Sequence, residues 1–305
     1  MFRKLVVLVG ILAFALVMFM LLIPTPKQQK SGLPSIVTSN FALYDIVRYV
    51  ASSSVEASML LPFSQDIHSF RPTPKDIARL QDSLIFFYSG AELEPWSSSL
   101  DLSSNAYDIS RGLNLIEVDD GHNHGAGHSH NSIDPHYWLD MDNMIILVDK
   151  IVATLVQRVD GIDVDLVTQK ATEYKQRLLR VDALYKKRLK SCAIDTILVD
   201  HNAFGYLAHR YGFKVESISG ISSESMPSAK SVANVLNLAE QKGIRVIFYD
   251  ALGNDNSIAA LTKQSHLHSK KLFTIANVTA EYKGADYLFF ANQNLQLLRV
   301  ALECR

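Results

Sequence analysis

The stretch DVDLVTQKATEYKQRLLRVDALYKKRLK, residues 163–190, decides the fold. Apolar residues recur along it at spacings that are mostly three and four, which predicts a helix with one continuous apolar face. Acidic residues lie at its start and lysines at its end, as the helix dipole favours. Between Gly161 and Gly205 the chain has no glycine or proline. We therefore predict one helix about 40 Å long, enough to run the length of a domain.

On both sides of this helix, short apolar runs alternate with amphipathic stretches. The strand-like runs before it are SIVTS, ASMLL, SLIFFYSG and NLIEV, at residues 35–39, 57–61, 83–90 and 114–118. Residues 41–53 and 73–83 read as helices between them, the second with Thr73 as its cap and Pro74 in its first turn. After the long helix the same alternation returns. This pattern predicts an α/β fold of two lobes, each with a parallel sheet flanked by helices, joined by one long rigid backbone helix.

The predicted organisation has four parts. Residues 1–32 form an N-terminal membrane anchor or signal segment, and residues 33–160 form an N-terminal α/β lobe with a His-rich loop at residues 119–133. Residues 161–191 form the linking helix. Residues 192–305 form the C-terminal α/β lobe.

The N-terminal segment has the hydropathy of a membrane helix. Arg3 and Lys4 precede residues 5–23, which carry no charge and are long enough to cross a bilayer. The apolar run exceeds that of a usual secretory signal, and LLIPTPK offers no A-x-A cleavage site. An uncleaved anchor in the inner membrane is favoured, with a cleaved signal and secretion as the alternative. The basic residues before the span place the body of the chain outside the cytoplasm, in the periplasm.

Bulk composition excludes several classes of protein. The chain has 305 residues, a net charge of −1 and 48% apolar residues, so it can bury a sizeable core and global disorder is not expected. Binding to nucleic acid needs a basic excess that this chain lacks. A monomer is expected. Outside the cytoplasm a disulfide is permitted, and Cys192 and Cys304 are left as either a bonded pair or two free thiols.

Three histidines follow the ends of predicted strands or precede predicted helices at the same edge. These are His68 and His136 in the first lobe and His201 in the second. Ligands of open parallel sheets gather outside the carboxyl ends of the strands, so a shared site would lie in the cleft between the lobes. One such histidine is usually an ordinary loop residue, but three imidazoles plus a carboxylate or water make a four-coordinate zinc site. The carboxylates that could orient the rings are Asp66, Asp134 and Asp200.

Longer stretches around these histidines follow a recognisable order. They are QDIHSFRPTPKDIARLQDSLIFFYSGAELEPW, IDPHYWLDMDNM, the run from VDHNAFGYLAHRYG to VIFYD, and NQNLQLL. Over about residues 35–300 the chain resembles the metal-binding subunits of bacterial ABC transporters for zinc or manganese, the cluster A-I solute-binding proteins. The resemblance implies two lobes joined by a rigid helix, with one metal between them bound by His68, His136 and His201.

The fourth ligand is left open by the sequence. Manganese-type members of the family have a carboxylate where His201 stands, and an aspartate near the start of the last helix. The comparable stretch here is YKGADYLFFANQN, which puts Ala285 at that position and Asp286 one residue further on. Asp286 is the first candidate for the fourth position, and Asp250 or a water molecule are the alternatives.

The His-rich loop predicts a second and different kind of site. His122, His124, His128 and His130 alternate with small and polar residues, and interspersed glycines keep such a segment flexible. H-x-H spacing suits weak chelation of zinc and no packed structure. The alternative is a polar insert that binds metal only incidentally. The insert is similar to that of the zinc-type members.

Imidazole ligands favour zinc, because manganese tolerates more oxygen donors. The resemblance thus implies an extracytoplasmic solute-binding protein, not an enzyme, that captures Zn²⁺ in the cleft and delivers it to the membrane permease. Three alternatives are carried: a transporter subunit for manganese or another metal, a zinc-dependent hydrolase and a metal-dependent adhesin. The hydrolase is disfavoured because the chain has no H-E-x-x-H and no G-x-S-x-G motif.

Overall fold

The computed structural model describes residues 32–99, 104–119, 131–220, 228–252, 256–263 and 265–305. In these ranges, none of the helices combines the length and apolar character that a bilayer crossing requires. The predicted anchor at residues 5–23 lies outside the described residues. So do the four loop histidines, His122, His124, His128 and His130.

The first lobe is built on a four-stranded parallel sheet in the order β2-β1-β3-β4. Its strands are β1 (Ser35–Thr38), β2 (Glu56–Met59), β3 (Ile85–Tyr88) and β4 (Ala106–Asp108). Helix α1 (Phe41–Ala51) connects β1 to β2, and α2 (Pro74–Asp82) connects β2 to β3. Thr73 caps α2 as predicted, in a reciprocal capping box with Asp76. The central strands β1 and β3 are almost wholly buried, as a sheet covered on both faces requires.

The fourth strand of this sheet was predicted wrongly. The run at residues 114–118 does not join the sheet, and its place is taken by β4, a three-residue strand with half-buried side chains. The end of the predicted run instead enters β5 (Glu117–Asp119), which pairs antiparallel with β6 (Asn131–Ile133). A strand as short as β4 leaves too little apolar alternation to be recognised. The β5–β6 hairpin carries both ends of the His-rich loop.

The second lobe repeats the parallel plan in the order β10-β9-β7-β8. Its strands are β7 (Thr196–Val199), β8 (Lys214–Ser217), β9 (Val246–Asp250) and β10 (His268–Leu272). Its helices are α5 (Gly205–Tyr211), α6 (Ala229–Lys242), α7 (Asn256–Lys263) and the closing α8 (Tyr287–Ala301). Both sheets belong to one compact unit, Pro34–Arg305. The predicted two-lobed α/β architecture is confirmed.

The predicted long helix is present as α4 (Val164–Arg188), 25 residues that follow α3 (Met141–Arg158). Asp163 caps its start by accepting the N–H of Leu166, and its last turn is basic. Two of its buried tyrosines hydrogen-bond to other elements. The Tyr174 hydroxyl donates to Asp45 Oδ2 in α1 at 2.8 Å, and the Tyr185 hydroxyl donates to the carbonyl of Ala291 in α8 at 2.6 Å. The linking helix is thereby fastened to both ends of the folded chain.

Arg210 in α5 ties the second lobe to the first. Its guanidinium pairs with Asp142 at the start of α3 at 2.6 Å and with Asp182 in α4 at 2.7 Å. The Arg210 and Asp182 side chains are 10% and 7% exposed, so their bond is shielded from most of the competing water, whereas Asp142 is exposed. This ionic contact holds α5 against the part of the first lobe that follows the β5–β6 hairpin.

Cys192 and Cys304 form a disulfide across a separation of 112 residues. Backbone bonds from Ala193 to the carbonyl of Glu303 and from Arg305 to the carbonyl of Ser191 lie beside it. The sequence left a bonded pair or two thiols open, and the structure has the bonded pair. The bond fastens the C-terminus to the segment between α4 and β7.

Candidate metal centre

His68, His136 and His201 come together in the structure. One ring nitrogen of each lies within 4.8 Å of those of the other two. The Nε2 atoms of His136 and His68 are 3.3 Å apart. Two nitrogens bound to one tetrahedral zinc ion, each about 2.0–2.1 Å from the metal, would be about 3.4 Å apart. These two rings are therefore already at the spacing of two ligands of one zinc ion.

The three histidines reach this point from both lobes. His68 lies in the loop after β2, His201 lies two residues after the end of β7, and His136 precedes the 3₁₀ turn Tyr137–Leu139. The ring centroids are 5.3 to 6.0 Å apart. His136 and His201 are buried, whereas His68 is half-buried and forms the more accessible side of the group.

Two carboxylates, the buried Asp134 and the half-buried Asp200, orient two of the rings. Nδ1–H of His136 donates to Asp134 Oδ1 at 2.8 Å, and Nδ1–H of His201 donates to Asp200 Oδ1 at 3.1 Å. Because the proton is held on Nδ1, the lone pair lies on Nε2, the nitrogen that faces the other rings. Both aspartates thus stand where the sequence placed them.

Asp66, the third predicted orienting carboxylate, acts on the backbone. Its Oδ1 accepts the main-chain N–H groups of His68 at 2.7 Å and Ser69 at 3.3 Å. It therefore shapes the turn that carries His68, which is a different role from the ring contacts of Asp134 and Asp200.

The electrostatics of the group favour a cation. Burial, together with the neighbouring His136 and His201, holds the pKa of His68 well below its usual value, so the ring is neutral and able to donate a lone pair. Burial also opposes a charge on His201, but the hydrogen bond and charge of Asp200, aided by Asp250, outweigh it and raise the pKa of His201. Burial raises the pKa of Asp250 to about 6 against the attraction of His201. A neutral His68 imidazole with carboxylates around the group suits a divalent ion.

Asp286 is not brought to this group, which corrects the first expectation for the fourth ligand. Its carboxylate caps α8 by accepting the N–H of Phe289 at 2.7 Å and pairs with Arg177 of α4 at 2.6 Å. Asp250 does interact with the group, because its charge helps to raise the pKa of His201. Its oxygens accept from the Thr274 hydroxyl and the N–H of Leu252.

Trp138 is a neighbour of the site that sequence reasoning missed. Its ring packs edge-on against His136 with centroids 5.6 Å apart, and its Nε1–H donates to the carbonyl of Thr274 at 2.8 Å. The Tyr287 hydroxyl donates to the Trp138 carbonyl at 2.6 Å. The only hint in the sequence is that Trp138 stands two residues after His136. Its hydrogen-bond partners, Thr274 and Tyr287, lie far away in the sequence.

The carboxylate of Asp134 is wedged against the second lobe. Its Oδ2 is buried and has no hydrogen-bond partner among the described residues. A Cβ built on Gly205 would meet that oxygen at 2.8 Å. Next to it, the Tyr206 hydroxyl donates to the Asp134 carbonyl and accepts the N–H of Ile116, so it clamps the base of the β5–β6 hairpin. Glycine at position 205 thus gives the carboxylate the room it occupies.

We expect the variant G205A to weaken zinc binding roughly 10- to 100-fold, the range typical for loss of an outer-shell partner. The added methyl group would push Asp134 away and turn the His136 ring with it. The measurement is a competition titration against a zinc chelator. The matched control is G284A, because a Cβ at Gly284 meets nothing within 4 Å. Equal affinities for both variants would contradict the role given to Gly205.

Comparisons with known proteins place the chain among zinc-binding transport components. The sequence profile of the family described as "ZnuA: Zinc-uptake complex component A periplasmic" matches residues 36–301. The high-affinity zinc uptake system protein ZnuA of Bacillus subtilis is 28% identical over 279 residues, covering 88% of this chain and 87% of that protein. The zinc-binding protein AdcA of Streptococcus pyogenes is 27% identical over 89% of this chain, which spans only 56% of that protein's length.

A solved structure supports the same relationship. The laminin-binding protein Lmb of Streptococcus agalactiae, described as a bifunctional protein with adhesin and metal transporting activity, superposes with a TM-score of 0.78 at 27% identity. The match covers 88% of this chain and 99% of that one.

Proposed function

Because the chain belongs to the family of periplasmic zinc-uptake components A, we propose that it captures Zn²⁺ between its two lobes and delivers it to the permease of an ABC transporter. The main support is the group of three imidazoles, His68, His136 and His201. One ring nitrogen of each lies within 4.8 Å of those of the other two. The protein needs no bond-making step for this task, and the names of its relatives, a zinc uptake system protein and a zinc-binding protein, support that proposal.

In this proposal the histidines bind the ion and the aspartates orient them. The Nε2 atoms of the three histidines hold the ion, and Asp134 and Asp200 keep two of the rings in the tautomer that can bind it. Water or Asp250 completes the coordination. The histidines of the loop, His122, His124, His128 and His130, hold further zinc weakly and raise its concentration near the cleft.

Release follows from the division of the ligands between the lobes. His68 and His136 come from the first lobe and His201 from the second, so a small separation of the lobes on the permease removes one ligand from three. Residues 1–32 would keep the protein at the outer face of the inner membrane, where it meets both periplasmic zinc and the permease. Membership of a periplasmic family supports this location.

We expect zinc to raise the melting temperature of the metal-free protein with a stoichiometry of one for the tight phase. At free zinc 100 times the dissociation constant the added stability is about 2.7 kcal/mol, which corresponds to roughly 4–5 °C for a chain of this size. Differential scanning calorimetry over a series of zinc concentrations measures the shift in melting temperature, and its dependence on free zinc gives the stoichiometry. Addition of a chelator should reverse the shift.

The same scans with manganese and copper decide the choice of metal. Manganese should stabilise less than zinc, because the proposed ligands are imidazoles. A larger shift with manganese than with zinc, or no tight phase with zinc, would refute the proposed function.

A further inference from the structure

The turn that leads to His68 is held by the second lobe. Residues 62–65 form a β-turn closed by the N–H of Gln65 on the carbonyl of Pro62 at 3.2 Å, with Ser64 in the left-handed region at φ 67°. Asn277, five residues after β10, contacts this turn from across the cleft. Its Nδ2 donates to the carbonyl of Pro62 at 2.7 Å and to the carbonyl of Gln65 at 2.8 Å.

Asn277 is built into this contact. It is 4% exposed, and its Oδ1 accepts the N–H of Val278 at 2.8 Å, so the orientation of the amide is fixed. Both Nδ2 hydrogens are used on the two ends of one turn. Removing the Asn277 amide would take the protein donor away from both carbonyls on the partly buried side of the turn, which is unfavourable.

Ser64 adds two more bonds to the same junction. Its N–H donates to the carbonyl of Val278 at 3.0 Å, and its hydroxyl accepts the N–H of Ala280 at 3.1 Å. Four hydrogen bonds therefore join the turn before His68 to the segment after β10.

The segment that carries Asn277 is itself firmly placed. Ile275 has φ 57°, a conformation that a β-branched residue adopts only when its surroundings enforce it. On either side of it, the carbonyl of Thr274 accepts from Trp138 Nε1, and the carbonyl of Ala276 accepts the N–H of Phe41. The second lobe thus presents Asn277 from a segment with little freedom to shift.

We propose that Asn277 is a positioning residue for the metal site: its amide fixes the turn at residues 62–65 and thereby sets the place of the His68 ring. His68 is the half-buried member of the three and lies in a loop three residues after Gln65. Asp66, between them, anchors the His68 backbone. A change at Asn277 therefore reaches the zinc ion through His68 and not through the other two histidines. This inference rests on the proposed function.

The test measures zinc affinity by chelator competition in the full chain and in the variants N277A, H68A and H68A/N277A. N277A should weaken tight zinc binding about tenfold or more, within the range for loss of an outer-shell partner. X-ray absorption at the zinc edge should show a fall from three coordinated imidazoles to two. In the H68A background, N277A should cause no further loss of affinity, because its effect passes through His68.

N105A is the matched control. Asn105 also donates Nδ2 to two carbonyls, those of Leu80 and Ser83 at 2.8 and 2.9 Å, but it lies at β4, away from the three rings. N105A should lower the melting temperature and leave zinc affinity within twofold of the parent. If N277A does not fold, S64A gives the answer, since it removes only the acceptor for Ala280 and should also weaken zinc binding.

The outcomes separate the two claims. The positioning role would be overturned if N277A and S64A left zinc affinity unchanged. It would also be overturned if N277A weakened zinc binding as much in the H68A background as in the parent. The proposed function would stand in both cases. Absence of a tight zinc phase in the parent protein would refute the proposed function itself.

Discussion

Replacing His201 with alanine is expected to abolish the tight zinc phase. Loss of an outer-shell partner typically weakens metal binding roughly 10- to 100-fold, and loss of a direct ligand should exceed that range. His201 is also the imidazole that the second lobe contributes to the group, so H201A leaves zinc held by the first lobe alone. Isothermal titration or chelator competition at fixed pH measures the loss.

The control for H201A is a variant in which the four loop histidines, His122, His124, His128 and His130, are all replaced. It should keep the tight phase and lose only the weaker equivalents. If the tight phase survived H201A and vanished in the loop variant, zinc would be held by the loop and the central site would be misassigned.

The large elements of this fold could be predicted because their signals are local. The α4 helix is indicated by an apolar face that continues over 25 residues and by the absence of glycine and proline between Gly161 and Gly205. The strands β1 and β3 are short, but each has an apolar centre and lies next to a helix cap. By contrast, β4 joins the sheet through backbone pairing of three half-buried residues, and the sequence carries no comparable signal.

The residues of the site that lie near strand ends could be predicted from the sequence. The contacts between residues far apart in the sequence could not. Each orienting carboxylate lies within two residues of its histidine, so Asp134 and Asp200 could be proposed from spacing alone. Asn277 lies 212 residues from Gln65, and its contact depends on how the two lobes pack. Asp286 looked suitable because it lies one residue beyond the aligned position, but its carboxylate forms an ion pair with Arg177 of α4.

The disulfide is expected to supply a large share of the stability. Replacing both cysteines, in C192S/C304S, should lower the free energy of unfolding by about 4–5 kcal/mol, because the bond closes a loop of 112 residues that the unfolded chain would otherwise explore freely. For a chain of this size that corresponds to a fall in melting temperature of roughly 6–9 °C. Calorimetry of the metal-free proteins measures it.

Zinc affinity should be unaffected by that double replacement, since the bond joins the segment after α4 to the C-terminus and none of the three histidines belongs to either segment. A thiol reductant provides the matched comparison: it should lower the melting temperature of the parent to that of C192S/C304S and leave the variant unchanged. If reduction weakened zinc binding as much as it lowered stability, the disulfide would have to act on the cleft, through the packing of the second lobe.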